Sequence, residues 1–196
     1  MTVESHPLQP FLPENASMLF LGSFPPPKAR WSMDFFYPNW INDFWRILGL
    51  IHYNDKAYFE VEGEKRFDRS RIIEFAKEKG LAFFDTASKV RRLKGNASDN
   101  FLEILEPTDI GMLLSKMPSC RQIITTGGKA SEELLSQLIA EVISGGENPI
   151  VMPAIGSYSL VKAYGREIRW WRMPSSSRAY PLALSKKAEY YKKLFE

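Results

Sequence analysis

A chain of 196 residues, 44% hydrophobic and 25% charged, carries enough apolar material for a sizeable core and too much for a disordered segment. Its net charge of +3 is too small for a surface that is basic throughout, so any contact with nucleic acid is expected to be local. The one cysteine, Cys120, excludes an internal disulfide framework, argues against a thiolate metal site, and reads as a small buried apolar residue.

Residues 1–16 show no charged segment leading into an apolar one, and no run of about 18 apolar residues occurs anywhere. An irregular N-terminal arm and a cytoplasmic protein are the expectations. "SMLFLGS", Ser17 to Ser23, is a short apolar run ended by glycine and then by Pro25, Pro26 and Pro27, which reads as a buried strand stopping at a loop. In "INDFWRILGL" Ile41, Phe44, Trp45 and Leu48 recur at helical spacing, with Asn42 or Asp43 as cap. "DRSRIIEFAKEKG" is an amphipathic helix with Asp68 at its N-cap and Gly80 just past its end, and "LAFFD" is the strand that follows.

Pro107 or Thr108 marks the next helix start, before the strand "RQIITT" and its glycine pair. The helix after that turns Leu134, Leu135, Leu138, Ile139 and Val142 to one face and can end at Gly145. "NPIVMP" and "EIRWWRMP" read as a fourth and a fifth strand, and "SKKAEYYKKLF" as a closing helix. Strands alternating with helices predict α/β class: one domain over residues 1–196, a three-layer α/β/α sandwich around a mainly parallel sheet of four to five strands. In such sheets ligands bind beyond the carboxyl ends of the strands, which directs attention to the loops there.

Four loops carry chemistry. In "MPSSSRAY" Pro174 stiffens the chain, and Ser175, Ser176 and Ser177 offer hydroxyls and backbone N–H groups suited to phosphodiester oxygens, with Arg178 beside them; capping the last helix is the structural alternative. "GSFPPPK" sets Gly22, Ser23 and Phe24 at the crevice without a dinucleotide or triphosphate fingerprint. "RWSMDFFYPNWINDFW" is rich in rings that can stack on a base, Phe36 and Tyr37 among them. Its amides, Asn39 and Asn42, can contact a base edge or hold a water, although a cap explains Asn42 equally well. "DTASKVRRLKGN" reads as a basic loop whose Arg91 and Lys94 suit phosphates, or as a solvated face, and Asp85 is either a buried anchor or a catalytic carboxylate. His6 and His52 are too isolated for a metal site or triad and read as structural or surface residues.

Taken in order, "LGSFPP", "INDFWRILGL", "FFDTASKV", "IITTGGKASEELL" and "MPSSSRAY" resemble motifs of the uracil-DNA glycosylase superfamily, especially its mismatch-specific uracil/thymine and hypoxanthine branches. The resemblance implies a monofunctional, monomeric DNA glycosylase that needs no metal or cofactor and hydrolyses the N-glycosidic bond of a deaminated base, hypoxanthine or uracil. Its partner would be damaged or mismatched duplex, or single-stranded DNA. By the same resemblance Gly22, Ser23, Phe24, Phe36 and Tyr37 form the base pocket, Asn42 or Asn39 is catalytic, Ser175 to Ser177 grip the backbone, Arg178 fills the vacated stack, and Lys129, Arg91 and Lys94 contact DNA. Phe24 departs from the family, many of whose members carry a water-orienting Asn or Asp there. A DNA-binding module without chemistry is therefore the alternative, and a hydrolase of free nucleosides or nucleotides a third reading.

Overall fold

The computed structural model describes residues 2–93, 101–143 and 150–196, with the side chains of 142 and 143 outside the description. Its main sheet has five strands, in the spatial order 81–85, 18–22, 122–126, 166–173 and 157–163. Strands β2 (Met18–Gly22), β3 (Leu81–Asp85), β6 (Gln122–Thr126) and β8 (Arg166–Met173) run parallel, and β7 (Ser157–Ala163) joins antiparallel to β8. β2 and β3 are buried along their whole length, which explains why they read as continuous apolar runs rather than alternating ones. The chain leaves β2 for β3 on one side and later returns to β6 on the other. The carboxyl end of β2 is therefore a point where the direction of winding reverses.

Helices α1 (Phe44–Tyr53), α2 (Arg69–Glu78), α3 (Ile110–Ser115), α4 (Gly128–Ile143) and α5 (Leu184–Lys192) complete the fold. Asp68 caps α2 by accepting from the Arg71 amide at 3.1 Å, and Gly80 follows with φ of 63°, a left-handed turn that costs glycine little. The core is aromatic. Phe20, Phe44, Trp45 and Phe83 are wholly buried, with Phe44 edge-on to Trp45 at 5.0 Å and to Phe20 at 5.5 Å.

The structure departs from the sequence expectations in four places. "NPIVMP" is not a strand over its described residues 150–153: Val151 is 70% exposed, and β7, further along, takes the place beside β8. The arm expected to be irregular contains β1 (Thr2–Ser5), which pairs with β4 (Ala87–Arg92) and, through it, with β5 (Leu102–Pro107) in a second, antiparallel sheet. The basic "loop" is thus largely a strand, and its cations face carboxylates: Lys89 on Glu106 at 2.8 Å, Arg91 on Glu103 at 2.9 Å, and Arg92 on Glu4 at 2.9 Å. Pro107 belongs to β5, and α3 starts later, with Asp109 accepting from the Met112 amide at 2.8 Å. The proposed end of α4 at Gly145 lies outside the described residues.

His52, on α1, packs edge-on against Phe75 and Phe195 at 5.0 and 4.5 Å, and its Nε2 is buried without a partner among the described residues. Burial, assisted by Lys79 and opposed by Glu78, holds its pKa below the usual 6.5. The native state therefore binds fewer protons than the unfolded chain. Stability from this group is complete above about pH 6.5 and is lost as pH falls through that value. Denaturant midpoints at about pH 7.5 and 5.5 should differ less in His52→Leu than in the native protein. An unchanged difference would remove His52 as the source.

Candidate active site

The carboxyl ends of the four parallel strands meet around one cavity of about 580 Å³. Gly22 from β2, Asp85 from β3, Thr126 from β6 and Ser175 just past β8 all line it. So do Ser23, Phe24, Phe36, Tyr37, Asn39, Asn42, Ser176, Ser177 and Arg178. Candidates spread over more than 150 positions of the chain are thereby brought to one place. Arg91 and Lys129 are not among the lining residues, and Lys94 lies outside the described part of the structure.

The segment between β2 and α1 is irregular but pinned. Trp31 donates its indole N–H to the Pro26 carbonyl at 2.8 Å, Trp45 donates to the Phe36 carbonyl at 3.0 Å, and the buried guanidinium of Arg46 donates to the Trp40 carbonyl at 2.7 Å. These bonds fix Tyr37 in a left-handed conformation, φ 50°, which a tyrosine adopts only when its surroundings demand it. Its ring lies flat on Phe44 at 3.7 Å, and its hydroxyl meets Thr126 Oγ1 at 2.9 Å. Burial, with a smaller contribution from the Asp85 charge, raises its pKa far above the usual 10, so the phenol stays neutral. Phe36 stacks on Phe83 at 5.9 Å, leaving a rigid aromatic wall.

Phe24 is 8% exposed and packs with Ala87, Val90 and Leu102, fastening the β2 loop to the second sheet. Gly22 is required for space: a Cβ there would come 2.4 Å from Asp85 Oδ1. Asp85 accepts a hydrogen bond at 2.8 Å from His6 Nε2. The side chain of His6 is only 4% exposed and is surrounded by Phe24, Phe36 and Phe84. The reading of His6 as isolated is thus overturned; its partner stands 79 positions away, beyond the reach of any local pattern.

Asn42 Oδ1 accepts from the Phe44 amide at 2.9 Å, a turn just ahead of α1 whose N-cap position is held by Asp43 without a side-chain cap bond, while Nδ2 has no partner among the described residues. Asn39 Oδ1 accepts similarly from the Ile41 amide at 3.1 Å. Both amides keep a donor for the cavity.

The serine loop crosses the entry to α1: the Asp43 amide donates to the Ser176 carbonyl at 2.9 Å, and Asn42 bridges Ser177. Free backbone N–H groups were expected here. Instead, Ser175 Oγ accepts from the Ser177 amide at 3.2 Å, Ser177 Oγ from the Ala179 amide at 3.3 Å, and the Ser177 carbonyl from the Tyr180 amide at 3.1 Å. Short hydroxyl side chains satisfy such turns, so of the three serine amides that of Ser177 is taken, and the hydroxyl hydrogens stay available to an anion.

Lys187 of α5 fastens the arrangement from behind. Wholly buried, it donates to Asp43 Oδ2 at 2.9 Å and to the Ser177 carbonyl at 2.8 Å. Arg178 reaches Asp43 Oδ1 at 3.4 Å but leaves half its side chain exposed at the rim of the cavity. Lys187 was legible in part, because it shares the inward stripe of α5 with Leu184 and Tyr191, and a cation there demands a buried acceptor.

Among the described residues no helix is long and apolar enough to cross a membrane. No protein-family model matches the chain, and no curated protein is significantly similar to it. The fold has solved counterparts. One is the solution NMR structure of a Methanosarcina acetivorans protein described as a "putative Uracil DNA glycosylase", which is 19% identical and aligns over 100% of both chains with a TM-score of 0.63. At that identity the likeness establishes a shared fold.

Proposed function

We propose that the protein is a monofunctional DNA glycosylase that takes a deaminated base, hypoxanthine or uracil, out of the DNA stack and hydrolyses its N-glycosidic bond. It would act as a single-domain monomer with helices on both faces of the main sheet. One observation carries the reading. The aromatic wall of Phe36 and Tyr37, the amides of Asn39 and Asn42, and the Ser175–Arg178 loop all border one cavity at the carboxyl edge of the sheet.

Each part has a task in that chemistry. A base inside a duplex cannot reach a pocket, so it must be extruded at a cost of a few kcal/mol, smallest for a mispaired base. The serine hydroxyls contact phosphates on either side, and Arg178, exposed at the rim, enters the gap left behind. Neutral Tyr37 and Phe36 present apolar ring surface to the extruded base, and the free Nδ2 donors of Asn39 and Asn42 suit its carbonyl oxygen or a water. Cleavage spreads positive charge over the sugar and negative charge over the departing base, so donors aimed at the base lower the barrier. The fold shared with the Methanosarcina acetivorans protein described as a "putative Uracil DNA glycosylase" supports the same reading.

Labelled duplexes carrying uracil, hypoxanthine, xanthine or a G:T mismatch, incubated with the protein and then treated with alkali, test the reading. Strand breaks are expected at uracil or hypoxanthine. Binding without breaks across the panel would instead favour a DNA-binding module, and turnover of free nucleosides alone a nucleoside hydrolase. Arg178→Ala should lose about tenfold in rate on a stable base pair, the equivalent of about 1.4 kcal/mol of extrusion energy, and far less on single strands. Equal losses on both would remove the gap-filling role.

A further inference from the structure

We infer that Asp85 is the general base that activates the attacking water and that His6 is its positioning residue. The inference deepens the glycosylase reading and rests on it. A water that attacks C1′ must lose a proton, and the amides singled out above cannot take one. Asn42 and Asn39 each commit their carbonyl oxygen to a backbone N–H and leave only a donor free. Phe24 offers nothing polar. Tyr37 is a neutral phenol already bonded to Thr126. Among the residues that line the cavity, Asp85 is the one carboxylate.

Its surroundings suit the task. Asp85 ends β3, in register with Gly22 of β2, and the absence of a side chain at Gly22 leaves room for Oδ1. Oδ2 is held at 2.8 Å by His6 Nε2, while 12% of the Asp85 side chain stays accessible and the residue borders the cavity. The carboxylate sets the role of one ring nitrogen. A lone pair on Nε2 would face the carboxylate at 2.8 Å, so Nε2 carries the hydrogen; Nδ1 meets the Leu8 carbonyl at 2.9 Å and the Leu8 amide at 3.2 Å. His6 is thus gripped at both nitrogens and by three aromatic rings, and it fixes one carboxylate oxygen so that the other is available to water.

In the reaction the water oxygen bonds to C1′ as the C1′–N bond breaks, and the bonding pair leaves with the base. The water's proton passes to the Asp85 carboxylate. The base, departing as an anion, takes a proton from solvent, and Asp85 returns its own to solvent.

Asp85→Asn, His6→Phe and His6→Gln should be compared with the native protein on the best duplex of the panel, reading single-turnover rate and affinity for an abasic-site duplex. Asp85→Asn should lose about 10²–10⁴ in rate with affinity held within about threefold. His6→Phe, which removes the donor, should lose at least about tenfold, and His6→Gln, which keeps one, should recover most of it. If Asp85→Asn does not fold, the contrast between His6→Phe and His6→Gln still decides, because a purely structural role would not separate rate from product affinity. An active native protein with an equally active Asp85→Asn overturns the inference alone. A native protein silent on every duplex overturns the glycosylase reading and this inference with it.

Discussion

Lys187→Met should destabilise the protein by about 3–5 kcal/mol, because it strands the Asp43 carboxylate in a site that is 5% exposed. The lysine side chain is itself 1% exposed, so the pair exists only because each ion solvates the other, with the Ser177 carbonyl taking a further ammonium hydrogen. Methionine fills the space of the stem but supplies no donor. Arg178, at 3.4 Å and half exposed, is too distant to replace it. For a domain of this length the loss corresponds to a fall in melting temperature of roughly 6–20 °C. Asp43→Asn in the same chain removes the orphaned charge and should restore part of the stability, which a double-mutant cycle reads as coupling. A loss under about 1 kcal/mol in the single variant would show that the pair is not a structural tie. The reach of the effect distinguishes it from an ordinary core defect. Lys187, Asp43 and Ser177 link α5, the start of α1 and the serine loop, so the same substitution should also weaken binding to abasic-site DNA.

What could be read from the chain and what could not divide along physical lines. β2 and β3 announced themselves because strands buried on both faces are continuous apolar runs, whereas β6 and β8 showed a short buried centre and an apolar alternation. The second sheet did not: β4 and β5 bury few apolar residues, Ala87, Val90 and Leu102, and their charged neighbours form ion pairs across the ladder that look, in one dimension, like a basic loop. The β7–β8 hairpin was hidden for a different reason. It turns through Tyr164 and Gly165, both at positive φ, and tyrosine is not a residue that signals such a turn. At the site, every base-pocket and serine-loop candidate proved to border the cavity, since each sat in a loop following a recognisable strand or preceding a helix. The polar pairs behind them, His6 with Asp85 and Lys187 with Asp43, lie 79 and 144 positions apart and are created only by folding.

Asn42→Ala should reduce turnover by about 10²–10³ while leaving affinity for an abasic-site duplex nearly unchanged. The asymmetry comes from the two ends of one amide. Oδ1 is bonded to the Phe44 amide at 2.9 Å, and its loss removes a hydrogen bond worth about 1 kcal/mol of stability. Nδ2, without a partner among the described residues, is free to donate to the base or to the attacking water, and that donor is needed only while the base is present and leaving. A product complex lacks the base and should not register its absence. Asn42→Asp separates the two functions: it keeps an oxygen to accept from the Phe44 amide but replaces the donor with an acceptor, so stability should return while activity stays low. Asn39→Ala is the matched control, since its Oδ1 also accepts from a backbone amide two residues on. If Asn39→Ala abolishes turnover and Asn42→Ala does not, the donor that matters is Asn39. If neither does, base departure is assisted from elsewhere in the cavity.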